Sequence, residues 1–494
     1  MGREGRYGKE EVMQLRLIPV AAEKARKGTD GVAVGSILPT ATSAGAKAGN
    51  RKRKALPALV MEEVAEVGNL KEAFKSVAAN KGAPGPSGKD IGEVRKHLAQ
   101  LIPQLSRALI EGEYLPGDVR RVWIPKTGGG QRGLGIPEVV DRIVQQALLQ
   151  RMQPHYDPNF DESSHGFRPG RSCHTAIAEA QTYIKAGYEW VVDMDLEKFF
   201  DTVNHQRLLS TLKQKITDDR IIRLINKMLK ARVVMPDGVV VMNEQGTPQG
   251  GPLSPLLSNI VLNELDAKLR ERGHKFVRYA DDCNIYVKSE KAGQRVLEST
   301  SRFIEKRLRL KVNRAKSAVA HPVDRHFLGF SLENNLERDE VEVHLSRKSR
   351  EKIYVKIREL TPRNWGKSLD DCIRGINAYL NGWVGFFKIC TSVIERVLRT
   401  LDAHIRRRLR AIQLKHWKRK RTIARNLIRL GANPKAAWRG IYAGNKSLWA
   451  MSHIPVVDRT LRNARFARRG LVSLWERWQE LRPKPDAQIP LVFG

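Results

Sequence analysis

Cysteine is scarce. Four residues, Cys173, Cys283, Cys372 and Cys390, stand far apart in a chain of 494 and form no CxxC pair. That excludes a disulfide scaffold and a thiolate zinc finger. No uninterrupted apolar run approaches the roughly 18–20 residues that cross a bilayer. The opening stretch, MGREGRYGKEEVMQLRL, holds no signal-peptide apolar core. No internal repeat recurs at a fixed period. Acidic residues are also short: 53 Asp+Glu face 88 Lys+Arg, a formal charge of +35. Such an excess repels itself in a compact state and is relieved by a large polyanion. Nucleic acid is the first reading and an anionic membrane surface the second. Hydrophobic residues at 41% and charged residues at 29% describe a globular chain, not a disordered one. At about 150 residues per domain the length suggests about three domains. Composition therefore allows a cytoplasmic nucleic-acid enzyme or scaffold.

Residues 1–57 read as a flexible basic arm. Tyr7 is its only aromatic residue, and it ends in Arg51-Lys52-Arg53-Lys54. Helical spacing begins at Met61, with Val64, Leu70, Ala73, Phe74 and Val77 on a similar face. Gly82-Ala83-Pro84-Gly85-Pro86 interrupts it. Val94, Leu98, Leu101 and Ile102 then predict a second helix. Val122-Trp123-Ile124-Pro125 and Leu134-Gly135-Ile136-Pro137, around Gly128-Gly129-Gly130, predict a hairpin. A helix with Ile143, Leu148 and Met152 follows. Beyond about 345 the chain turns helical, basic and dotted with Trp. Between 401 and 430 there are 11 Lys+Arg and one acidic residue, Asp402.

The sharpest feature is Tyr279-Ala280-Asp281-Asp282 between two β-prone runs, Phe276-Val277-Arg278 and Cys283-Asn284-Ile285-Tyr286-Val287. Alone, Asp-Asp is a solvated turn, because Asp favours turns. Here the flanks are apolar, so the paired carboxylates sit at the edge of a core and want a cation. Mg²⁺, a hard ion held by oxygen ligands, is the natural one. A second carboxylate-rich strand end, Val191-Val192-Asp193-Met194-Asp195-Leu196-Glu197, supports this. Two-metal phosphoryl transfer needs carboxylates converging from separate elements, and Asp195 with Asp281 and Asp282 would supply them. The bland alternative is a strand ending in a capping Asp. Between the two lies Gly246-Thr247-Pro248-Gln249-Gly250-Gly251-Pro252, an irregular loop before a helix. Its glycines allow close approach of a ligand, and Gln249 can lie against a base pair.

The order of these elements resembles that of the reverse transcriptases encoded by bacterial group II introns, most strongly the compact group IIC-like members. The resemblance covers roughly residues 62–480. It rests on Val122-Trp123-Ile124-Pro125-Lys126, Arg132-Gly133-Leu134-Gly135-Ile136-Pro137, Gly166-Phe167-Arg168-Pro169-Gly170-Arg171-Ser172, residues 191–205 and 246–259, Tyr279-Ala280-Asp281-Asp282, residues 308–317, and Phe327-Leu328-Gly329-Phe330. It implies an α+β right-hand polymerase fold followed by an α-helical thumb or maturase domain. The expected limits are the arm at 1–57, fingers and palm at 58–335, the helical thumb/maturase domain at 336–430, and a basic nucleic-acid-binding segment at 431–494. Asp195, Asp281 and Asp282 match the catalytic, metal-holding aspartates; Asp193 precedes the matching position.

The resemblance further implies two Mg²⁺ ions and dNTP substrates. Phe200 stands where a bulky side chain underlies the sugar and clashes with a 2′-hydroxyl. Arg120 and Lys126 match the triphosphate clamp, and Gln249 and Lys316 complete the dNTP contacts. Residues 377–387 resemble the maturase region, where Trp383 and Phe387 read as helix-packing core. The run Arg406, Arg407, Arg408, Arg410, Lys418, Arg419, Lys420 and Arg421 is expected to contact RNA. Expected partners are group II intron RNA, an RNA template, a DNA primer and target DNA, without a membrane. The expected activity is RNA-directed DNA synthesis combined with splicing assistance and retrohoming. Rival readings are a domesticated or defence-type reverse transcriptase without an intron, and a splicing-only maturase. Three departures stand out: Ser87 replaces a common Asp, Phe386 a common Tyr, and the 1–57 arm has no counterpart in the compact members; the C-terminus also lacks the His-Asn-His and paired-Cys signature of an endonuclease domain.

Overall fold

The computed structural model describes residues 57–125, 130–247, 250–362 and 366–483. The predicted arm up to residue 56 and the candidates Lys126 and Gln249 lie outside these residues. The chain divides into two compact units. One runs to Ala180 and resumes over Val192–Val319; the other comprises Gln181–Val191 and the chain from Ala320 onward.

In the first unit the predicted helix from Met61 is two helices, Met61–Ala65 and Val67–Ala79. Glu66 leaves the helical region at ψ 130°. The break is satisfied locally: Asn69 Nδ2 donates to the Val64 carbonyl at 2.8 Å, and Leu70 N–H to the Glu66 carbonyl at 3.0 Å. Val64, Leu70, Ala73, Phe74 and Val77 are all buried, as the spacing predicts. The second predicted helix is likewise split, into Ile91–Lys96 and Leu98–Ile110. Its start is set by a capping box between Asp90 and Glu93. The helix Val139–Tyr156 buries Ile143, Leu148 and Met152 completely.

Ten strands occur among the described residues: β1 Val119–Pro125, β2 Gln131–Ile136, β3 Trp190–Met194, β4 Val233–Val234, β5 Val240–Val241, β6 Lys275–Tyr279, β7 Asp282–Val287, β8 Ala318–Ala320, β9 Phe330–Asn335 and β10 Glu340–Leu345. The predicted fingers hairpin is β1 paired antiparallel with β2, within a sheet of order β2-β1-β4-β5. The other four-stranded sheet has order β6-β7-β3-β8. That order places β3 beside β7, so residues far apart in sequence leave neighbouring strands close to the same sheet edge. Behind it the helix Ser254–Glu271 begins with Pro255 in its first turn and buries Leu257, Ile260, Leu262, Leu265 and Leu269.

The second unit holds the β9–β10 hairpin and a series of helices, among them Arg347–Leu360, Leu369–Phe387 and Glu395–Trp417. Ser368 and Asp371 form the capping box of the second of these. Trp383 and Phe387 are buried with ring centroids 4.7 Å apart, and Phe330 packs 5.1 Å from Phe387. They are core, as the i, i+4 spacing predicts. No helix among the described residues is long and apolar enough to cross a membrane.

Candidate active site and nucleic-acid surface

The hairpin that carries the paired aspartates is β6–β7, with Tyr279 opposite Asp282 across its tip. Ala280 adopts φ 56°, the left-handed region that alanine disfavours. Such a residue costs about 1–3 kcal/mol and persists only where its surroundings hold it. Arg278 does much of the holding. Its guanidinium, wholly inaccessible, donates to the Ala280 carbonyl at 2.9 Å and to Asn259 Oδ1 at 2.9 Å. It also reaches Ser164 Oγ at 2.7 Å and grips both oxygens of Asp266 at 2.7 and 2.5 Å. Burial works against this guanidinium, but the Asp266 charge and hydrogen bonds outweigh it and keep Arg278 above its ordinary value. Asn259 in turn donates to the Gly166 carbonyl at 2.8 Å. Gly166 must be glycine: a Cβ there would lie 2.3 Å from the Ala280 backbone nitrogen. The Gly166-Phe167-Arg168 motif therefore supports the aspartate turn from below.

Asp195 stands one residue beyond β3. Its backbone N–H donates to Ser317 Oγ at 3.0 Å, and its carbonyl accepts from Asn313 N–H at 2.8 Å. Leu196 bridges antiparallel to Val312, and Glu197 N–H donates to the Lys311 carbonyl at 2.8 Å. The 308–317 motif thus extends the strand past its end and fixes Asp195. Lys316 Nζ lies 3.7 Å from Asp195 Oδ2.

Electrostatics join the three carboxylates. Burial, and then the Asp195 charge, raise Asp281 above its ordinary value, while Arg132 and Arg278 oppose the rise. Asp282 is exposed at the surface of the turn. Even so, the protein packed around it, with Asp281, Asp193 and Asp195, pushes it from 3.8 up to about 7. Carboxylates that repel one another this strongly are held ionised by a cation. The donors are all carboxylate oxygens, the ligand type of hard divalent ions, so the residues fit a divalent metal. The three aspartates are not a set whose ligand oxygens all lie within 4.8 Å; among the described residues, Glu333, Glu342 and His344 of the second unit are such a set.

Phe200 lies in the short helix Phe199–Thr202, half-buried, its ring 5.2 Å from that of the buried Phe199. Its carbonyl accepts from Thr247 N–H at 2.6 Å. Gly246, at φ 87°, would place a Cβ 2.5 Å from that carbonyl. The 246–247 segment therefore lies directly on the Phe200 backbone, and the two motifs meet. Arg120, on β1, spends one guanidinium nitrogen on the Pro84 carbonyl at 2.8 Å. Ser87 answers its own departure from the family pattern: its N–H and hydroxyl both donate to Glu138, at 2.7 and 2.8 Å.

Sequence reasoning assigns no role to Arg132, whose charge acts on both Asp281 and Asp282. Period-two alternation puts it on the face of Leu134 and Ile136, but no local signal says what that face meets. It assigns none to Arg278 either, although a charge inside an apolar strand demands a buried partner.

In the second unit the basic run divides. Arg408 donates to the carbonyls of Thr361 (2.8 Å) and Arg358 (3.3 Å) and to the Thr361 hydroxyl. Arg410 is buried, donates to the Leu461 carbonyl at 3.0 Å and pairs with Asp458. Arg407 lies 4.0 Å from the Trp449 ring, and Arg406 is half-buried near Asp402. Lys420 reaches the Gly444 carbonyl at 3.3 Å. Lys418, Arg419 and Arg421 are exposed. The same charge type therefore has two uses, and substitution should separate them. Arg410→Ala is expected to cost about 1–3 kcal/mol of stability, read as a lower denaturation midpoint. Replacing Lys418, Arg419 and Arg421 with Gln should leave the midpoint alone and flatten the salt dependence of RNA binding by about 2–3. An unchanged slope in a salt series would remove those three from the RNA surface.

Two family matches cover much of the chain. Residues 124–332 match the family described as reverse transcriptase (RNA-dependent DNA polymerase), and residues 350–431 match the group II intron, maturase-specific domain. Protein YkfC of Escherichia coli (strain K12) is 35% identical over 304 residues, 53% of this chain and 80% of that protein. The group II intron-encoded protein LtrA of Lactococcus lactis subsp. cremoris is 37% identical over 207 residues, 42% of this chain and 34% of LtrA. Nuclear intron maturase 1, mitochondrial, of Arabidopsis thaliana is 27% identical over 198 residues, 30% of this chain and 27% of the relative. The chain thus spans four-fifths of the first relative and about a third or less of the other two. With its reverse transcriptase region followed by a maturase-specific region, the chain belongs to the group II intron-encoded reverse transcriptase/maturase family.

Proposed function

We propose that the chain is an RNA-directed DNA polymerase that also binds its group II intron RNA, assisting splicing and retrohoming. The observation that carries the polymerase reading is the electrostatic union of Asp195, Asp281 and Asp282 at two neighbouring strand ends. Their oxygens would hold two Mg²⁺ ions, which make a primer 3′-hydroxyl a better nucleophile and offset the charge of a pyrophosphate leaving group. The protein's own contribution is position and charge. Arg278 and Ser317 fix the two strand ends. Arg132 supplies positive charge facing the aspartates, where a triphosphate would lie. Lys316, beside Asp195, is placed to favour departure of pyrophosphate. Arg120, Lys126 and Gln249 remain part of the proposed dNTP and template contacts. Template RNA, DNA primer and target DNA are the proposed partners, and the domain limits stated from the sequence belong to the same proposal.

Phe200 is the proposed sugar gate. The 246–247 backbone holds its carbonyl, which fixes the backbone that carries the ring, and the ring itself packs 5.2 Å from that of Phe199. Phe200→Ala is therefore expected to raise ribonucleotide incorporation relative to deoxynucleotide at least about tenfold, the effect of roughly 1.4 kcal/mol of relieved clash. Competition between rNTP and dNTP pools during primer extension measures it, and an unchanged ratio would return Phe200 to a packing role.

A further inference from the structure

We infer that the outer face of the helix Pro434–Tyr442 is a stacking platform for unpaired bases of an RNA. The identity of the polyanion rests on the maturase reading; the surface itself rests on the second unit alone.

The helix is capped by Asn433, whose side chain accepts from Ala436 N–H at 3.1 Å, and starts with Pro434. Ala437 and Ile441 point inward and are buried. The neighbouring stripe, about 100° round the helix from Ala437 and Ile441, carries Trp438 and Tyr442 one turn apart. Trp438 is 37% exposed and Tyr442 51%. Their ring centroids lie 5.7 Å apart, with planes inclined by 36°. Two large rings one turn apart thus keep about a third to a half of their surface in water, while other rings of the unit are better covered. Trp383, Phe387 and Trp478 are buried, and Trp449 is covered by Arg407. Exposed aromatic surface of this kind marks a binding face.

The charge around the rings says what binds. From Ala403 to Val457 the chain has fourteen Lys and Arg and neither Asp nor Glu. Lys420 Nζ lies 5.8 Å from the Tyr442 ring centroid. Arg421, Arg425 and Arg429 are exposed on the helix Lys420–Arg429, which packs against the platform helix; Lys435 and Arg439 are exposed on the platform helix itself. Rings flanked by cations suit a ligand that alternates flat apolar faces with phosphates. A duplex hides its base faces, so the ligand is unpaired. The helix Lys420–Arg429 lies within the region matching the group II intron maturase-specific domain, which points to RNA over DNA.

Stacking and phosphate contact respond differently to salt, and the test uses that difference. The full chain would be titrated with an unstructured single-stranded RNA, a blunt RNA duplex of equal length, and single-stranded DNA of the same sequence, across a salt series. Trp438→Ala with Tyr442→Ala is expected to weaken single-stranded RNA binding at least about fivefold per ring. The salt slope and the duplex affinity should not change. Arg421→Gln, Arg425→Gln and Arg439→Gln should instead flatten the slope for single strand and duplex alike, by about 0.7–0.9 per lost phosphate contact. Trp438→Leu with Tyr442→Leu keeps apolar bulk without an aromatic face and should lose affinity as the alanines do. Unchanged single-strand affinity in both ring variants, or an equal loss on duplex, would overturn the platform. DNA bound as tightly as RNA, with the same loss, would overturn the RNA assignment. Primer extension by the wild-type chain tests the polymerase reading separately: extension together with unaltered ring variants sinks the platform alone.

Discussion

Asp281→Ala is expected to lower RNA-templated primer extension at least about a thousandfold, the consequence of losing roughly 4 kcal/mol of transition-state stabilisation. The loss should fall on turnover and not on RNA affinity, because metal and leaving-group charge are felt mostly as the bond to the leaving group breaks. Stability should move the other way. Asp281 and Asp282 both lie above their ordinary values, with burial the first cause and neighbouring carboxylates the next. A raised carboxylate binds its proton more tightly folded than unfolded. In the metal-free protein, Asp282 therefore costs stability progressively as pH rises from 3.8 towards about 7. Removing the Asp281 charge should lift part of that cost, so the variant's melting temperature at neutral pH should equal or exceed that of the metal-free wild type. Melting against pH, beside extension assays, separates the two effects. Near-normal extension by Asp281→Ala would sink the metal assignment; an inactive variant that is also strongly destabilised would assign the residue to the fold.

Arg278→Met should cost about 3–5 kcal/mol of stability, because it strands the fully buried Asp266 as an unpaired charge. Asp266→Leu added to Arg278→Met removes the stranded charge. Buried ion pairs replaced by apolar side chains of similar size are often close to neutral, so the double variant should recover most of the lost stability. It should not recover activity. The Ala280 carbonyl would still lack its donor, and the left-handed residue beside the aspartates would lose its main restraint. Denaturant midpoints and primer extension on the same samples measure this. Should extension return together with stability, Arg278 would be a packing residue and the aspartate turn would hold itself.

Much of this is legible in the residues. The β6–β7 hairpin with its paired aspartates, the β1–β2 hairpin, and the buried faces around Val64, Leu70 and Ile143 follow from apolar period and turn chemistry, which act over a few residues. Net charge alone indicates a polyanionic partner. Local signals also place Trp383 and Phe387 in a core. They cannot foresee the break at Glu66, where Asn69 satisfies the Val64 carbonyl from the far side of the break. Nor can they sort the arginines of 406–410. Arg410 and Lys418 belong to one basic run in sequence, yet one is buried against Leu461 and Asp458 and the other is exposed. Only tertiary packing decides whether a cation meets a carbonyl or water. The same holds for the site. That Asp195 stands near Asp281 depends on β3 lying beside β7, and that the Arg132 charge is felt at Asp281 and Asp282 depends on where a hairpin distant in sequence is folded. Chain-distant proximity has no local period to reveal it, so the sequence by itself determined which groups were available and the tertiary structure decided which of them act together.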